Sequence, residues 1–171
     1  VDFPEALADL EDVLSVSLVP ITEIIGSGGG EAAGTQRMRR ALAERGWTKV
    51  NFEIKKIVNG VDRESISHEI DHVKPYAAGT VALEIEWNNK DPFFDRDLEN
   101  FKRLHAEGAI SVGIIITRGL TLQASLWDFV RRFATERRIV DFDSLAAVGV
   151  IPTPKQKNSI RQRVVRARGP V

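Results

Sequence analysis

The chain has 171 residues, a formal net charge of zero and no cysteine. Its length fits one domain with a hydrophobic core, and its neutral charge gives no overall attraction to nucleic acid or to a membrane. The lack of cysteine excludes disulfides, thiolate metal sites and cysteine nucleophiles.

No apolar run in the sequence approaches the roughly 20 residues that a membrane span needs. The opening "VDFPEALADLEDVL" is acidic and amphipathic, unlike a signal peptide. We therefore expect one domain, residues 1–171, in the cytoplasm and without a membrane partner.

The N-terminal part of the chain is predicted to be helical. Apolar residues at a helical period predict a first helix that ends near Pro20. Residues 26–34, "GSGGGEAAG", cannot form regular structure, and they lack the signatures of a P-loop and of a dinucleotide site. A second helix is predicted from an N-cap at Thr35 to a stop at Gly46.

Three strands are predicted next. The first ends at Asn59–Gly60, a dipeptide typical of a hairpin turn. The third, "TVALEIEW", alternates so that Glu84 and Glu86 point to the same side of the strand. The second alternates between a face with Ile66, His68, Ile70 and His72 and a face with Ser67, Glu69, Asp71 and Val73.

The remaining pattern completes an α/β or α+β domain. A helix is predicted to begin at Asp91 or Asp95, and "AISVGIIITRG" is typical of a central buried strand. "SLWDFVRRFATERR" predicts an amphipathic helix. We therefore expect a central mixed β-sheet flanked by helices. The inner face of the helix after Asp91 is predicted to carry Phe94, Leu98, Phe101 and His105.

Three carboxylates, Asp71, Glu84 and Glu86, fall on two strands that are predicted to pair. A carboxylate without a partner is costly to bury, whereas convergent carboxylates suit a hard divalent cation such as Mg²⁺. The alternative is an exposed sheet face whose glutamates pair with neighbouring lysines. The order of an acid, a turn and E-x-E matches PD-(D/E)xK nucleases, with Glu86 in the place of the lysine. In that pattern the first two acids hold the metal and the third group positions or deprotonates water.

The other polar residues are less specific. His68 and His72 are expected to be packed or partly exposed rather than catalytic. The basic segment within residues 155–171 is either a phosphate-contacting arm or a flexible tail. Its cations, with no acid among them, are Lys155, Lys157, Arg161, Arg163, Arg166 and Arg168.

The stretch "SHEIDHVK…VALEIEWNNKDPFFDRDLENFKRLHAEGAISVGIIITRG" resembles the core of type II restriction endonucleases of the BglII/BamHI group. The similarity runs from about Ile25 to Gly119 and is more specific than the three acids alone. It implies a restriction-endonuclease-like fold and a homodimer that uses Mg²⁺ to cleave double-stranded DNA at a short palindrome, leaving 5′-phosphate ends. It also implies a cognate DNA methyltransferase that protects host DNA.

The resemblance also assigns roles to individual residues. It makes Asp71 and Glu84 metal ligands, and Glu86 the third catalytic group. It implies an accessory acid near the metal, for which Glu23 and Glu31 are both candidates. The DNA contacts that we expect from the resemblance and from the basic segment are Asn88, Asn89, Arg118, Lys155, Lys157 and Arg161.

Two alternatives stay open. The chain could be a DNA-binding module that keeps the nuclease fold without cutting, or a nuclease without a fixed palindromic site. Because all three acid positions are filled, the sequence favours the enzyme.

Overall fold

The computed structural model describes residues 2–26, 31–87 and 91–168. None of the helices in these ranges is long and apolar enough to cross a membrane. In chain order the elements are α1 (Pro4–Val16), α2 (Ile21–Ile25), α3 (Ala33–Glu44), β1 (Thr48–Val58), β2 (Val61–Tyr76), β3 (Gly79–Glu86), α4 (Asp91–Ala106), β4 (Val112–Thr117), α5 (Leu120–Glu136), α6 (Phe142–Ala147) and α7 (Pro154–Arg168).

The chain divides into two compact units. The first unit is Val1–Ser17 with Thr35–Arg118, and it holds α1, most of α3, the four strands and α4. The second unit is Leu18–Gly34 with Gly119–Val171, and it holds α2, α5, α6 and α7. The expectation of a single domain over residues 1–171 stays a prediction.

The strands of the first unit form a mixed sheet in the order β1-β2-β3-β4. The pairs β1–β2 and β2–β3 are antiparallel, and β3–β4 is parallel. The predicted mixed sheet flanked by helices is therefore confirmed. The predicted hairpin is confirmed too, because Asn59 and Gly60 both have positive φ, 51° and 78°, in the two-residue link between β1 and β2.

The sequence pattern predicts the wrong position in the sheet for one strand. β4 lies at the edge of the described sheet, so the prediction that it is central is wrong. Its apolar run has another cause: Ile114 packs into the core on one face of the sheet and Ile115 into the core on the other. An edge strand that is covered on both faces has the same sequence pattern as a central strand.

These two cores give the first unit three layers. Leu83 of β3 packs with Val13 of α1 and Leu42 of α3, whereas its neighbour Ala82 packs with Phe101 of α4. Successive side chains of a strand point to opposite faces of the sheet. By this alternation, Glu84 and Glu86 face the same side of the sheet as Ala82, and α4 covers this side.

The β1–β2 pairing contains a bulge at the position of Lys49. The register shifts there by one residue, so Asp71 and His72 of β2 together oppose Lys49 of β1. The predicted strict alternation of β2 is therefore wrong beyond Ile70, and Val73 joins the same core as Ile70.

The buried face of α4 also differs from the prediction. Leu98 is 56% exposed and His105 is exposed, so the prediction that they face inward is wrong. Asp97, Phe101 and Leu104 are buried instead. Positions 97, 101 and 104 follow the i, i+4, i+7 spacing of one helix face. The helix is rotated from the predicted orientation because a carboxylate takes a core position.

The N-terminal helical region differs from the prediction in a smaller way. The predicted first helix is divided, since α1 ends at Val16 and α2 begins after Pro20, whose ring cannot continue a helix. In the second unit, Phe129 and Phe133 of α5 are partly buried, whereas Trp127 is exposed. Most of the basic segment belongs to α7.

Candidate active site

Asp71 and Glu84 are brought together where the regular pairing of β2 and β3 ends. The antiparallel register stops at His72 opposite Leu83, and the next residue on each strand is Asp71 and Glu84. The amide of Asp71 donates a hydrogen bond to Oε1 of Glu84 at 3.1 Å. The extra residue of a bulge is not paired in the hydrogen-bond ladder between the strands. The amide of Asp71 is therefore available to donate to a side chain.

Glu84 and Glu86 are buried, with exposed fractions of 8% and 5%. The alternative of an exposed glutamate face is therefore wrong. Burial raises the pKa of Glu84 to about 7; the hydrogen bond from Asp71 lowers it, and the charges of Asp71, Asp97 and Glu86 raise it further. Burial, followed by the neighbouring Asp97, raises the pKa of Glu86 to about 7. The site is thus a buried acidic cluster whose carboxylates favour a proton or a cation.

A fourth acid, Asp97 of α4, belongs to the same cluster and is 2% exposed. Its Oδ1 accepts a hydrogen bond from Nε of Arg96 at 2.9 Å and forms an ion pair with Nη2 at 2.8 Å. Nη2 of Arg96 also lies 3.9 Å from Oε1 of Glu86. Within the described part of the chain, Oδ2 of Asp97 and Oε2 of Glu86 are buried without a hydrogen-bond partner. Arg96 therefore links two carboxylates that each keep one oxygen without a hydrogen-bond partner among the described residues.

On the solvent side of the cluster, Asp71 pairs with Lys49. The Nζ atom of Lys49 lies 2.8 Å from Oδ1 of Asp71 and 2.8 Å from Oε1 of Glu69. Hydrogen bonds to these two carboxylates raise the pKa of Lys49. A cation consequently occupies the outer side of Asp71.

The two histidines of β2 are packed, as predicted. His68 and His72 are both buried. Nε2 of His68 has no hydrogen-bond partner among the described residues.

The carboxylates form pairs rather than one convergent set. Among the residues that the structure describes, no three histidine or acidic side chains are grouped so that they could hold a metal ion. Asp71 and Glu84 form one pair, and Glu86 and Asp97 form the other. The donors are carboxylate oxygens, the ligand type that Mg²⁺ and Ca²⁺ prefer, so the chemistry of the first pair fits such an ion.

The family model for restriction endonuclease BglII/BglIII matches residues 1–163. The chain belongs to this family. The protein is therefore a restriction endonuclease, an enzyme that cleaves DNA at specific sites, and the predicted enzyme class is confirmed. No curated protein and no solved structure matches the chain.

Within the endonuclease, the predicted DNA contacts fall in several places. Asn88 and Asn89 lie outside the described residues. Arg118 directly follows β4 and is half-buried. These three residues stay predictions as DNA contacts.

The predicted contacts in the second unit lie on α7. The Nζ atom of Lys157 is 5.4 Å from the ring centroid of Phe142, and the guanidinium carbon of Arg161 is 5.6 Å from it. These two cations are four residues apart and share one aromatic ring of α6 as a platform. Lys155 is exposed.

The candidates for the accessory acid also lie in the second unit of the endonuclease. Glu23 is in α2 and Glu31 precedes α3. The role of either residue stays a prediction.

Three residues of the site were not predicted from the sequence: Asp97, Arg96 and Lys49. A helical spacing of positions 94, 97, 101 and 104 contains Asp97 among three apolar residues, and this spacing could have identified it. Lys49 had no such signal, because it depends on a bulge that the strand pattern does not show.

Proposed function

We propose that the endonuclease is a type II enzyme that hydrolyses phosphodiester bonds of duplex DNA with Mg²⁺, within a short palindrome, and leaves 5′-phosphate ends. The observation that carries this proposal is the pair formed by Asp71 and Glu84 in a member of a restriction endonuclease family. The palindrome and the Mg²⁺ ion are inferred from the resemblance and from the chemistry of the carboxylates.

The proposed metal ligands are Asp71 and Glu84. The charges that raise the pKa of Glu84 come from three acids, so a divalent cation at this pair would relieve their mutual repulsion. When bound, Mg²⁺ supplies a charge that neutralises the phosphate and acidifies a coordinated water. The hydrogen bond from the Asp71 amide holds the carboxylate of Glu84 in one orientation for this role.

Glu86 is proposed to orient the attacking water and accept its proton. A carboxyl group whose pKa is about 7 has the proton affinity that a general base needs near neutral pH. The water oxygen attacks phosphorus, and the bond from phosphorus to the 3′ oxygen breaks. That oxygen leaves with the bonding electrons and takes a proton from solvent water to become the 3′-hydroxyl. The 5′-phosphate remains on the other fragment.

DNA binding is proposed to involve both units of the chain. Lys155, Lys157 and Arg161 would contact phosphates, which requires no particular sequence. Asn88 and Asn89 would reach base edges, and Arg118 would add a further contact. A symmetric homodimer would match a palindromic target. A cognate methyltransferase would protect host DNA in the cytoplasm.

The test is cleavage of unmethylated plasmid and phage DNA in parallel reactions with Mg²⁺ and with EDTA, followed by sequencing of the fragment ends. We expect discrete fragments in Mg²⁺ only, with a shared palindrome at their 5′-phosphate ends. Fragments without a shared sequence would contradict the palindromic site. Intact DNA in both reactions, together with a gel shift, would indicate a binding module.

Variants of the metal pair test the residue assignment. Asp71→Asn and Glu84→Gln should each abolish detectable cleavage while DNA binding in Ca²⁺ persists. The matched control is Glu53→Gln, since Glu53 is an exposed strand acid paired with Lys55. Asp71→Asn cleaving at the rate of the unsubstituted enzyme would contradict the assignment.

A further inference from the structure

We propose that Asp97 is a positioning residue for the cleavage reaction: with Arg96 it fixes the carboxylate of Glu86 beneath α4. This inference rests on the proposed role of Glu86. It concerns a residue outside the three acids of the nuclease pattern, and it is carried by the contacts and the burial of the α4 side chains.

The first step is that Asp97 itself is held rigidly. It lies on the buried face of α4, one helical turn before Phe101, and Phe101 and Leu104 are part of a core with Ile70 and Ala82. The position of Asp97 is therefore set by packing of the helix on the sheet, and the residue is 2% exposed. A side chain fixed in this way can hold a second group in place.

The second step is the connection from Asp97 to Glu86. Arg96 donates to Oδ1 of Asp97 through Nε, and its Nη2 lies 2.8 Å from the same oxygen and 3.9 Å from Oε1 of Glu86. The guanidinium stacks over Phe93, with its central carbon 5.4 Å from the ring centroid. The cation is thus restrained on two sides, by a carboxylate and by an aromatic ring, while it attracts Glu86.

The third step separates this role from a purely structural ion pair. If Asp97 served only to pair with Arg96, a buried oxygen without a partner would be an unnecessary cost. The described part of the chain instead has two such oxygens, Oδ2 of Asp97 and Oε2 of Glu86, in two carboxylates of similar burial. Two buried acids side by side oppose folding, and natural proteins retain such arrangements at functional sites.

The consequence is a defined orientation for a flexible side chain. Glu86 has several rotatable bonds, and a group that orients an attacking water must be held to about 0.5 Å. Displacement of such a group by about 1 Å can lower a rate about a hundredfold. Loss of the Asp97 carboxylate should therefore act on the rate of cleavage rather than on DNA affinity.

The experiment compares Asp97→Ala, Asp97→Asn and the control Glu99→Gln. Glu99 is on the same helix but pairs with Lys102 and Arg103 outside the cluster. Single-turnover cleavage is measured at saturating DNA with Mg²⁺, and DNA affinity is measured in Ca²⁺. We expect Asp97→Ala to lower the rate ten- to a hundredfold with affinity changed by less than about threefold, and Glu99→Gln to change neither.

Asp97→Asn distinguishes positioning from the mere presence of a side chain. Its amide oxygen can accept from Arg96 and its NH₂ group can donate to Glu86. We expect it to cleave at least about fivefold faster than Asp97→Ala. The proposal is overturned by an unchanged rate in Asp97→Ala, by a loss that lies wholly in DNA affinity, or by equal rates in the two variants.

A second measurement does not depend on cleavage. Urea midpoints are determined for Asp97→Asn, Glu86→Gln and the double variant. We expect the two shifts to be non-additive, because the side chains interact; additive shifts would overturn the proposal even if Asp97→Ala does not fold. An inactive unsubstituted enzyme would contradict the proposed function, whereas an active enzyme that is insensitive at Asp97 would contradict this inference alone.

Discussion

The amide of Asp71 hydrogen-bonds Oε1 of Glu84 at 3.1 Å, across the point where β2 and β3 stop pairing in register. The orientation of Glu84 is therefore set by the backbone of the neighbouring strand. The β1–β2 bulge that frees this amide lies opposite Lys49. The orientation of the Glu84 carboxylate therefore depends on this bulge as well as on the end of the β2–β3 pairing. A substitution that alters the bulge should therefore change the orientation of the Glu84 carboxylate.

The first prediction concerns pH and Glu84→Gln. Burial raises the pKa of Glu84 from 4.5 to about 7, so the folded protein holds this proton more tightly than the unfolded chain does. The contribution of this protonated carboxyl to the free energy of unfolding is fully present below pH 4.5 and is lost as the pH rises through 7. Glutamine stays neutral and can still accept from the Asp71 amide. The metal-free variant should exceed the unsubstituted protein in stability by roughly 1–2 kcal/mol at pH 8, and by little at pH 5.

Thermal unfolding in EDTA between pH 5 and pH 8 measures this difference. Glu99→Gln is the control, because hydrogen bonds from Arg103 and Lys102 lower the pKa of Glu99. That variant should not gain stability over the unsubstituted protein as the pH rises. If Glu84→Gln were more stable than the unsubstituted protein by the same amount at every pH, the raised pKa of Glu84 would be contradicted.

The second prediction is that Lys49→Gln tightens the binding of divalent cations. The ammonium of Lys49 lies 2.8 Å from Oδ1 of Asp71 and competes with a metal for that oxygen. An exposed ion pair contributes about 0.2–1 kcal/mol, so its removal should raise Ca²⁺ affinity by up to about fivefold. Calorimetric titration with Ca²⁺ at pH 8 measures the affinity.

Lys55→Gln is the matched control for Lys49. Both lysines lie on β1 and are half-exposed, but Lys55 pairs with Glu53, which is not part of the site. Its replacement should leave Ca²⁺ affinity unchanged. Weaker Ca²⁺ binding by Lys49→Gln would mean that Lys49 supports the metal site rather than competing with it.

The sequence was sufficient for the parts of the site that depend on local periodicity. Alternation in β3 predicted that Glu84 and Glu86 share a side, and the Asn59–Gly60 turn predicted the hairpin before β2. These features depend on residues close in sequence, whose geometry is fixed by the strand repeat and by positive φ.

The parts that failed depend on tertiary contacts. Leu98 looked like a core residue of α4, but Asp97 takes that place because Arg96 compensates its charge. The bulge at Lys49 inserts one residue into β2, and no residue type marks where it occurs. A charged residue in the core and a one-residue shift are decided by packing, which periodicity cannot represent.

The third prediction concerns Asp9, which joins α1 to the sheet. Its Oδ2 accepts from Nε1 of Trp47 at 3.1 Å, from Nζ of Lys74 at 2.6 Å and from the hydroxyl of Tyr76 at 2.8 Å. Burial alone would raise the pKa of Asp9, but these hydrogen bonds lower it. Asp9→Asn removes the charge that Lys74 and the two neutral donors share. We expect a loss of about 2 kcal/mol in urea unfolding.

Asp12→Asn is the control on the same helix. Asp12 is largely exposed and lies 3.6 Å from Arg45, a type of ion pair that contributes little. Its replacement should cost less than about 0.5 kcal/mol. Equal losses for Asp9→Asn and Asp12→Asn would show that the three hydrogen bonds of Asp9 add nothing to stability.

The fourth prediction links the packing of α4 to catalysis through Gly113→Ala. A Cβ atom at Gly113 of β4 would lie 2.5 Å from Cγ and 2.8 Å from Cβ of Phe101, so the aromatic ring must move. Overpacking of this kind costs about 1–3 kcal/mol. Because Phe101 lies one turn after Asp97, the shift of α4 should also slow cleavage well below the unfolding temperature. Thermal unfolding and single-turnover rates measure both effects. Gly113→Ala should cost less when it is added to a Phe101→Ala chain, which lacks Cγ and the ring, than when it is added to the unsubstituted chain. Equal costs of Gly113→Ala in the Phe101→Ala chain and in the unsubstituted chain would contradict this packing of the helix.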